Sequence, residues 1–231
     1  MNLNNKNHPV YEPEKWNKDI YIKKTHNCYA YALNLIHTEQ ANICKKYMKL
    51  TKKHDCPILR PQPGQYSGYI DEYKPSPYTT SSTKCSRGME IRIKKDNPLI
   101  RKLRKNQECP DNFYKIALFI ASDGSDYHFY RQDNNGLWSH KDGWKLATNK
   151  DAKGRIIKNP ETADRGNLDL FCGYYAVPNL SKYKNMSNMT RPYKNKVSET
   201  QKILNMIKKN ELHKAKKGVS TLVRKPKIYK N

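Results

Sequence analysis

The segment Asp126–Lys141, which reads DYHFYRQDNNGLWSHK, decides how this chain folds. Two runs rich in aromatic residues flank an Asp-Asn-Asn-Gly sequence at residues 133–136. A turn that ends in glycine between two such runs predicts a β-hairpin. In an antiparallel hairpin the start of the first strand lies beside the end of the second. The sequence therefore predicts that His128 and His140 lie side by side at one end of a sheet.

Further strands are predicted on both sides of this hairpin. Residues 113–121 and 168–178 have the length and apolar composition of buried strands, and residues 144–149 predict a shorter one. A short basic helix is expected around residues 97–105. One N-terminal helix followed by several antiparallel strands predicts an α+β fold.

The clearest predicted helix, Thr25–His37, begins with a cysteine. Thr25 or Asn27 can cap this helix, which places Cys28 in its first turn. Unpaired backbone N–H groups and a partial positive charge at that position lower a thiol pKa and bind an oxyanion. The Cys28 N–H is the first candidate donor to an oxyanion. The side chains of Asn27 and Tyr21 are auxiliary candidates, although capping by Asn27 and packing by Tyr21 are simpler interpretations.

Cys28, His128 and His140 form the candidate catalytic set. A thiol nucleophile needs a base within hydrogen-bond reach, and that base needs a polar partner that fixes its tautomer. We assign Cys28 as the nucleophile, His128 as the base and His140 as the residue that orients His128. Asp133 and Asp142 are alternative orienting residues. In the opposite interpretation Cys28 is a small buried apolar residue and both histidines are surface residues of the strands.

This order and spacing resemble the NlpC-like branch of the papain-like cysteine peptidases. The resemblance rests on Asn-Cys-Tyr-Ala at residues 27–30, His-Phe-Tyr at 128–130, Trp-Ser-His at 138–140 and a Pro-Gly turn at 63–64. It implies a papain-like (NlpC-like) domain in which the N-terminal helix packs on an antiparallel sheet. It also implies a cysteine hydrolase, a thiol protease or amidase, that cleaves a peptide or peptidoglycan-like substrate through a thiolate acyl-enzyme without any cofactor. Relatives that act as acyltransferases keep the same chemistry. The same strings also look like those of uncharacterised proteins of large DNA viruses.

The chain divides into three predicted parts. Residues 1–24 form an irregular leader, and residues 25–180 form the hydrolase domain with a loop insertion at 61–84. Residues 181–231 form a basic tail with 15 Lys and Arg residues against two Glu residues. A short helix is predicted in this tail over residues 201–212.

The charge of the chain suggests a non-catalytic alternative. The 231 residues include 45 Lys and Arg against 21 Asp and Glu, a net charge of +24, which suggests an acidic partner such as nucleic acid. In this alternative the papain-like core is only a scaffold for a basic virion or nucleic-acid-binding protein. A Lys-rich solvated surface explains the same charge without any partner.

Cysteine use and hydropathy predict the cellular location. No apolar run is long enough to span a membrane, and the first residues lack the apolar region of a secretory signal. The expected location is therefore intracellular, in a host cytoplasm, or in a virion. The six cysteines are then expected to be free thiols. A zinc site at the His-x-Cys pairs 26–28 and 54–56 is a further alternative, although the catalytic hypothesis requires no metal.

Overall fold

The computed structural model describes residues 8–69, 85–179 and 203–213. Its six strands form one antiparallel sheet in the order β1-β6-β2-β3-β4-β5. The α+β class predicted from the sequence is confirmed. The strands are β1 (Arg101–Leu103), β2 (Phe113–Ile120), β3 (Tyr127–Gln132), β4 (Trp138–Lys141), β5 (Ala147–Thr148) and β6 (Leu170–Pro178).

The predicted hairpin is formed by β3 and β4. Its turn is closed by the Asp133 N–H, which donates to the Leu137 carbonyl at 2.8 Å, and Gly136 adopts a φ of 80°. The register pairs Tyr130 with His140 as the last pair at the open end of the hairpin. β3 continues to Tyr127 beyond this pair, where it is bonded to β2 alone. The two strands therefore separate at the end where His128 lies.

The helices are shorter and more numerous than the sequence predicts. They are α1 (Glu14–Asn17), α2 (Ile20–Thr25), α3 (Cys28–Ala32), α4 (Thr38–Thr51), α5 (Glu90–Asp96) and α6 (203–213), with a 3-10 turn at Pro57–Leu59 and a π turn at Cys85–Met89.

The predicted helix Thr25–His37 is wrong in its bounds, because α2 ends at Thr25 and α3 stops at Ala32. Asn34 adopts a left-handed φ of 54° and accepts a hydrogen bond from Arg131, which ends the helix. The helix predicted around residues 97–105 is also wrong. That stretch follows α5 and contains β1.

Alternation along β3 divides its side chains between two buried clusters. Phe129 packs on the α3 side of the sheet with Tyr29 and Leu33. Tyr130 packs on the opposite side with Phe119 and Trp138. Full burial of each large apolar side chain stabilises the fold by roughly 1.5–3 kcal/mol. This alternation, which follows from the period of two in a strand, sends His128 and Phe129 to different sides of the sheet.

The described part of the leader is folded onto the domain. Residues 14–17 and 20–25 are helical rather than irregular. Trp16 is buried, and its ring lies 4.9 Å from that of Tyr31. This contact holds α1 against α3, the helix that carries Cys28.

Four of the six cysteines form disulfide bonds, Cys44–Cys56 and Cys85–Cys172. The prediction of six free thiols is therefore wrong. The first bond joins α4 to the segment after it, and the second joins the π turn to β6, so folding brings together cysteines that are distant along the chain. Cys28 and Cys109 remain free.

Parts of three predicted segments lie outside the described residues. These are residues 1–7 of the predicted leader, residues 70–84 of the predicted loop insertion, and the basic tail apart from 203–213. The helix predicted in the tail is confirmed for 203–213, where Ile203 and Ile207 are buried and Glu211 pairs with Lys46 at 2.9 Å. Among the described helices, none combines the length and apolar character needed to cross a membrane.

Candidate functional site

His128 and His140 are in direct contact, as the hairpin pattern predicts. His128 Nε2 lies 2.8 Å from His140 Nδ1, and the two rings are nearly perpendicular. His140 Nε2 lies 2.9 Å from the Lys150 carbonyl oxygen. The two imidazoles and the carbonyl therefore form a continuous hydrogen-bonded chain.

The chain of hydrogen bonds fixes which ring nitrogens carry protons. A carbonyl oxygen only accepts hydrogen bonds, so His140 Nε2 is the donor to Lys150. In a neutral imidazole the other nitrogen is then an acceptor, and His140 Nδ1 must receive the proton of His128 Nε2. This leaves His128 Nδ1 as an unprotonated nitrogen. Within the described residues it has no hydrogen-bond partner, which is the state that a general base requires.

Cys28 lies against the same end of β3. Its side chain packs in the α3 cluster, and its thiol faces the backbone N–H of Phe129, the residue that follows His128. This amide lies beyond the last pair of β3 with β4, so the cysteine occupies the gap where the two strands separate. No hydrogen bond joins the thiol to His128 in the described part of the chain. The Cys28 thiol therefore faces the peptide unit between His128 and Phe129, and its sulfur makes no hydrogen bond with the His128 ring in the described part of the chain.

A cavity of about 590 Å³ opens onto the two histidines. His128, Tyr130 and His140 line it from the sheet. Trp144 and Leu146, both 54% exposed, line it from the connection between β4 and β5. Cys28 is not part of its wall. The histidines are therefore open to a ligand, whereas the thiol lies behind them.

Burial disfavours the charged forms of the Cys28 thiol and the His128 imidazole. It raises the pKa of the Cys28 thiol above its usual value, although the Phe129 N–H acts in the opposite direction. It lowers the pKa of His128, and the neighbouring His140 acts in the same direction. The expectation that the helix start lowers the thiol pKa is therefore wrong. α3 has only five residues, and desolvation of the thiolate outweighs its small dipole.

The two auxiliary oxyanion candidates have other contacts. The Asn27 side chain caps α3 through the Ala30 N–H at 3.2 Å and donates to the Pro61 carbonyl at 2.7 Å. The predicted cap is confirmed, and this amide group is already bonded. Tyr21 packs beside the Cys44–Cys56 disulfide. The backbone N–H of Cys28 remains the candidate donor.

The alternative orienting and metal-binding residues are also accounted for. Asp133 forms a buried ion pair with Arg131 at 3.0 Å on the α3 side, whereas Asp142 lines the cavity and favours the charged form of both histidines. Cys56 is in a disulfide, which removes it as a thiolate ligand. No cluster of three or more potential metal ligands is present in residues 8–69, 85–179 and 203–213.

Sequence reasoning missed Lys141, which is buried and whose charge acts on Cys28. Its ammonium group donates to the carbonyls of Lys23, His26 and Gly143 at 2.6 to 2.7 Å. The signal was available in the alternation of β4. Because His140 faces the cavity, Lys141 must face α3 on the opposite side. A lysine side chain that faces the core is unusual, because lysines are rarely buried without a partner.

Comparison with known proteins found one relevant relative. Insoluble matrix shell protein 1 of Ruditapes philippinarum is 32% identical over 167 residues, which cover 72% of this chain and 88% of the relative. No family model and no solved structure matches the chain.

This relative corrects two expectations. Its name describes a matrix protein of a shell, and not a virion protein or a thiol protease. The labels of viral protein, virion protein and cysteine peptidase are therefore wrong. The expected intracellular or virion location is wrong for the same reason, because a shell matrix lies outside cells.

Proposed function

This chain belongs to the family of insoluble matrix shell protein 1 of Ruditapes philippinarum, and on that premise we propose that it is a secreted thiol acyl-transfer enzyme. Cys28 is its nucleophile, His128 its general base and His140 the residue that orients His128. The papain-like arrangement of a helix start facing a sheet histidine is part of this proposal.

The proposed reaction begins with two neutral groups. His128 Nδ1 takes the thiol proton as the sulfur attacks the carbonyl carbon of an amide. The Cys28 N–H stabilises the resulting oxyanion. Collapse of this intermediate forms a thioester and releases the amine, which receives the proton from His128. A second amine then loses its proton to His128 as it attacks the thioester. A new amide is released, and the sulfur takes back the proton as a thiol. The proposal requires the sulfur and His128 Nδ1 to meet when a substrate fills the cavity.

The observation that carries this proposal is the hydrogen-bonded chain from His128 through His140 to the Lys150 carbonyl. It leaves one basic nitrogen unprotonated beside a cavity of about 590 Å³, on the residue that precedes the Phe129 amide faced by a free thiol. A purely structural pair of histidines has no need of either the cavity or the thiol.

Two disulfide bonds support the proposed secretion. Disulfides persist in oxidising compartments and are rare in the cytosol. Cys28 is free although the other cysteines of its side of the sheet, Cys85 and Cys172, are paired. A thiol that stays reduced in such a protein is a candidate nucleophile.

The other free cysteine, Cys109, allows an internal control. An electrophilic amide or ester probe that forms a covalent adduct should label Cys28 at neutral pH faster than Cys109, although Cys28 is the more buried. His128→Ala should abolish labelling of Cys28 and leave Cys109 unchanged. Peptide mapping by mass spectrometry measures both sites in one sample. Equal loss at both sites, or Cys28 labelling that is independent of His128, contradicts the proposal.

The net charge of +24 and the name of the relative favour a second candidate function. The protein is then a non-catalytic basic component of an extracellular matrix that binds acidic polymers, nucleic acid included. Binding to an acidic polymer that weakens steeply with salt, together with an unreactive Cys28, supports this alternative.

A further inference from the structure

Lys141 is a cation with an unusual set of partners. Its side chain is fully buried, yet all three of its hydrogen bonds go to neutral carbonyl oxygens. In the described part of the chain no carboxylate lies within ion-pair distance of its ammonium group. A buried charge without a counterion costs several kcal/mol, and the three carbonyl acceptors offset only part of this cost.

Two of the three carbonyls that hold Lys141 lie just before α3 in the chain. The carbonyl of His26 is two residues before Cys28, and that of Lys23 belongs to α2. The ammonium group therefore joins the end of β4 to the segment that places the thiol. His140, which orients the base, is the residue before Lys141. Lys141 therefore connects the strand that carries His140 to the segment that carries Cys28.

We propose that Lys141 is a positioning residue whose charge stabilises the Cys28 thiolate as it forms. This inference rests on the proposed acyl-transfer function and names the counterion that the attack step needs. The charges of Cys28 and Lys141 act on each other, each favouring the ionised form of its partner.

Other charged groups face this pair. Arg60 and Lys23 act on Lys141 and disfavour its charge, whereas Asp142 favours it. Asp126 and Asp142 act on Cys28 and disfavour the thiolate. Lys141 therefore offsets two nearby carboxylates that oppose ionisation of the thiol. Burial lowers the pKa of Lys141 to about 7, so at neutral pH its charge is sensitive to ionisation of Cys28.

The test is the pH dependence of Cys28 labelling in three variants. Lys141→Met removes the charge and the donors, and Lys141→Gln removes the charge but keeps a donor for the carbonyls. Both should lower the labelling rate by about tenfold or more, as loss of a nearby opposite charge does, and should remove the fall in rate that deprotonation of Lys141 produces above pH 7 in the wild-type protein. Lys102→Met, which removes an exposed lysine on β1, should leave the profile unchanged. Folded variants with the wild-type profile would overturn the proposal and leave Lys141 as a structural link only.

A second measurement keeps the lysine intact in case neither variant folds. The coupling is reciprocal, so a negative charge at this position in Cys28→Asp should raise the pKa of Lys141 relative to the neutral Cys28→Asn, as measured by nitrogen NMR of its ammonium group. An identical Lys141 titration in Cys28→Asp and Cys28→Asn would also overturn the proposal. If wild-type Cys28 is unreactive, the proposed function itself fails. If it reacts through His128 but ignores Lys141, only the present inference fails.

Discussion

The hairpin of β3 and β4 carries one polar pair on each of its faces, and the two pairs are built differently. On the α3 side Arg131 and Asp133 form an ion pair whose side chains are each 1% exposed. The Arg131 guanidinium also donates to Asn34 and Tyr31 and lies 4.2 Å above the Tyr31 ring. On the other side His128 and His140 share one hydrogen bond beside a cavity.

The difference separates a group that holds the fold from one that is available to react. Every donor nitrogen of Arg131 has an acceptor within the protein. The histidine pair instead ends in one unprotonated nitrogen with no partner among the described residues. Satisfaction of all its donors fixes the Arg131 side chain, whereas an open acceptor beside a cavity can take a proton from a ligand or a thiol. Three substitutions and one pH dependence test whether the two pairs differ in this way.

Removal of the base should have the largest effect. His128→Ala should slow acyl transfer to Cys28 by about 10²- to 10⁴-fold, the usual contribution of a general base. Its effect on stability should be small, because the cavity admits water to the vacated space. Single-turnover labelling measures the rate, and chemical denaturation measures stability. A large loss of stability with unchanged labelling would place His128 in the structural class of Arg131.

Removal of the ion-pair cation should act on stability instead. Arg131→Met should lower the free energy of unfolding by about 3–5 kcal/mol, because Asp133 is left buried without a counterion. The double variant Arg131→Met with Asp133→Leu is the matched control and should recover much of that loss. Urea titrations of both variants measure the difference. A double variant no more stable than Arg131→Met contradicts the role assigned to the ion pair.

Loss of the orienting residue should have a smaller kinetic effect. His140→Ala keeps the base but frees its ring, so the labelling rate should fall by about tenfold to a hundredfold. His140→Gln keeps an oxygen that can accept the His128 Nε2 proton and should restore part of the rate. Equal rates in the two variants would argue that the tautomer of His128 is not controlled at this position.

The acid limb of the pH–rate profile should lie well below pH 6.5. Burial lowers the pKa of His128, so its neutral, active form persists as the pH falls below 6.5, the ordinary value for histidine. The labelling rate should therefore be retained in mildly acidic solution and fall only at lower pH. A rate measured from pH 4 to pH 8 tests this. An acid limb at or above 6.5 would mean that His128 is solvated during the reaction.

Local pattern was sufficient for part of the site. The glycine turn at Gly136 and the alternation of apolar residues predict β3 and β4, and with them the approach of His128 to His140. Asn27 before an apolar run predicts the cap that places Cys28 in the first turn of α3. These features depend on neighbours a few residues apart, which a sequence displays directly.

Other features depend on contacts between distant segments. The helix at Cys28 ends at Ala32 because Asn34 serves Arg131, which lies 97 residues away. The pairing of Cys85 with Cys172 spans 87 residues. Neither contact has a periodic signature, so the sequence predicted a longer helix and free thiols.

The hairpin, the start of the helix and the contact of the two imidazoles follow from the amino-acid sequence alone, because turn geometry and strand alternation are short-range properties. The ionisation states of Cys28 and Lys141 depend instead on the packing of distant segments. Cys28 is buried because α2, α3 and β4 pack together. The same packing brings the His26 carbonyl, 115 residues away in the sequence, to the ammonium group of Lys141. The pKa of a group depends on its solvation and its neighbours, and both exist only once the chain has folded.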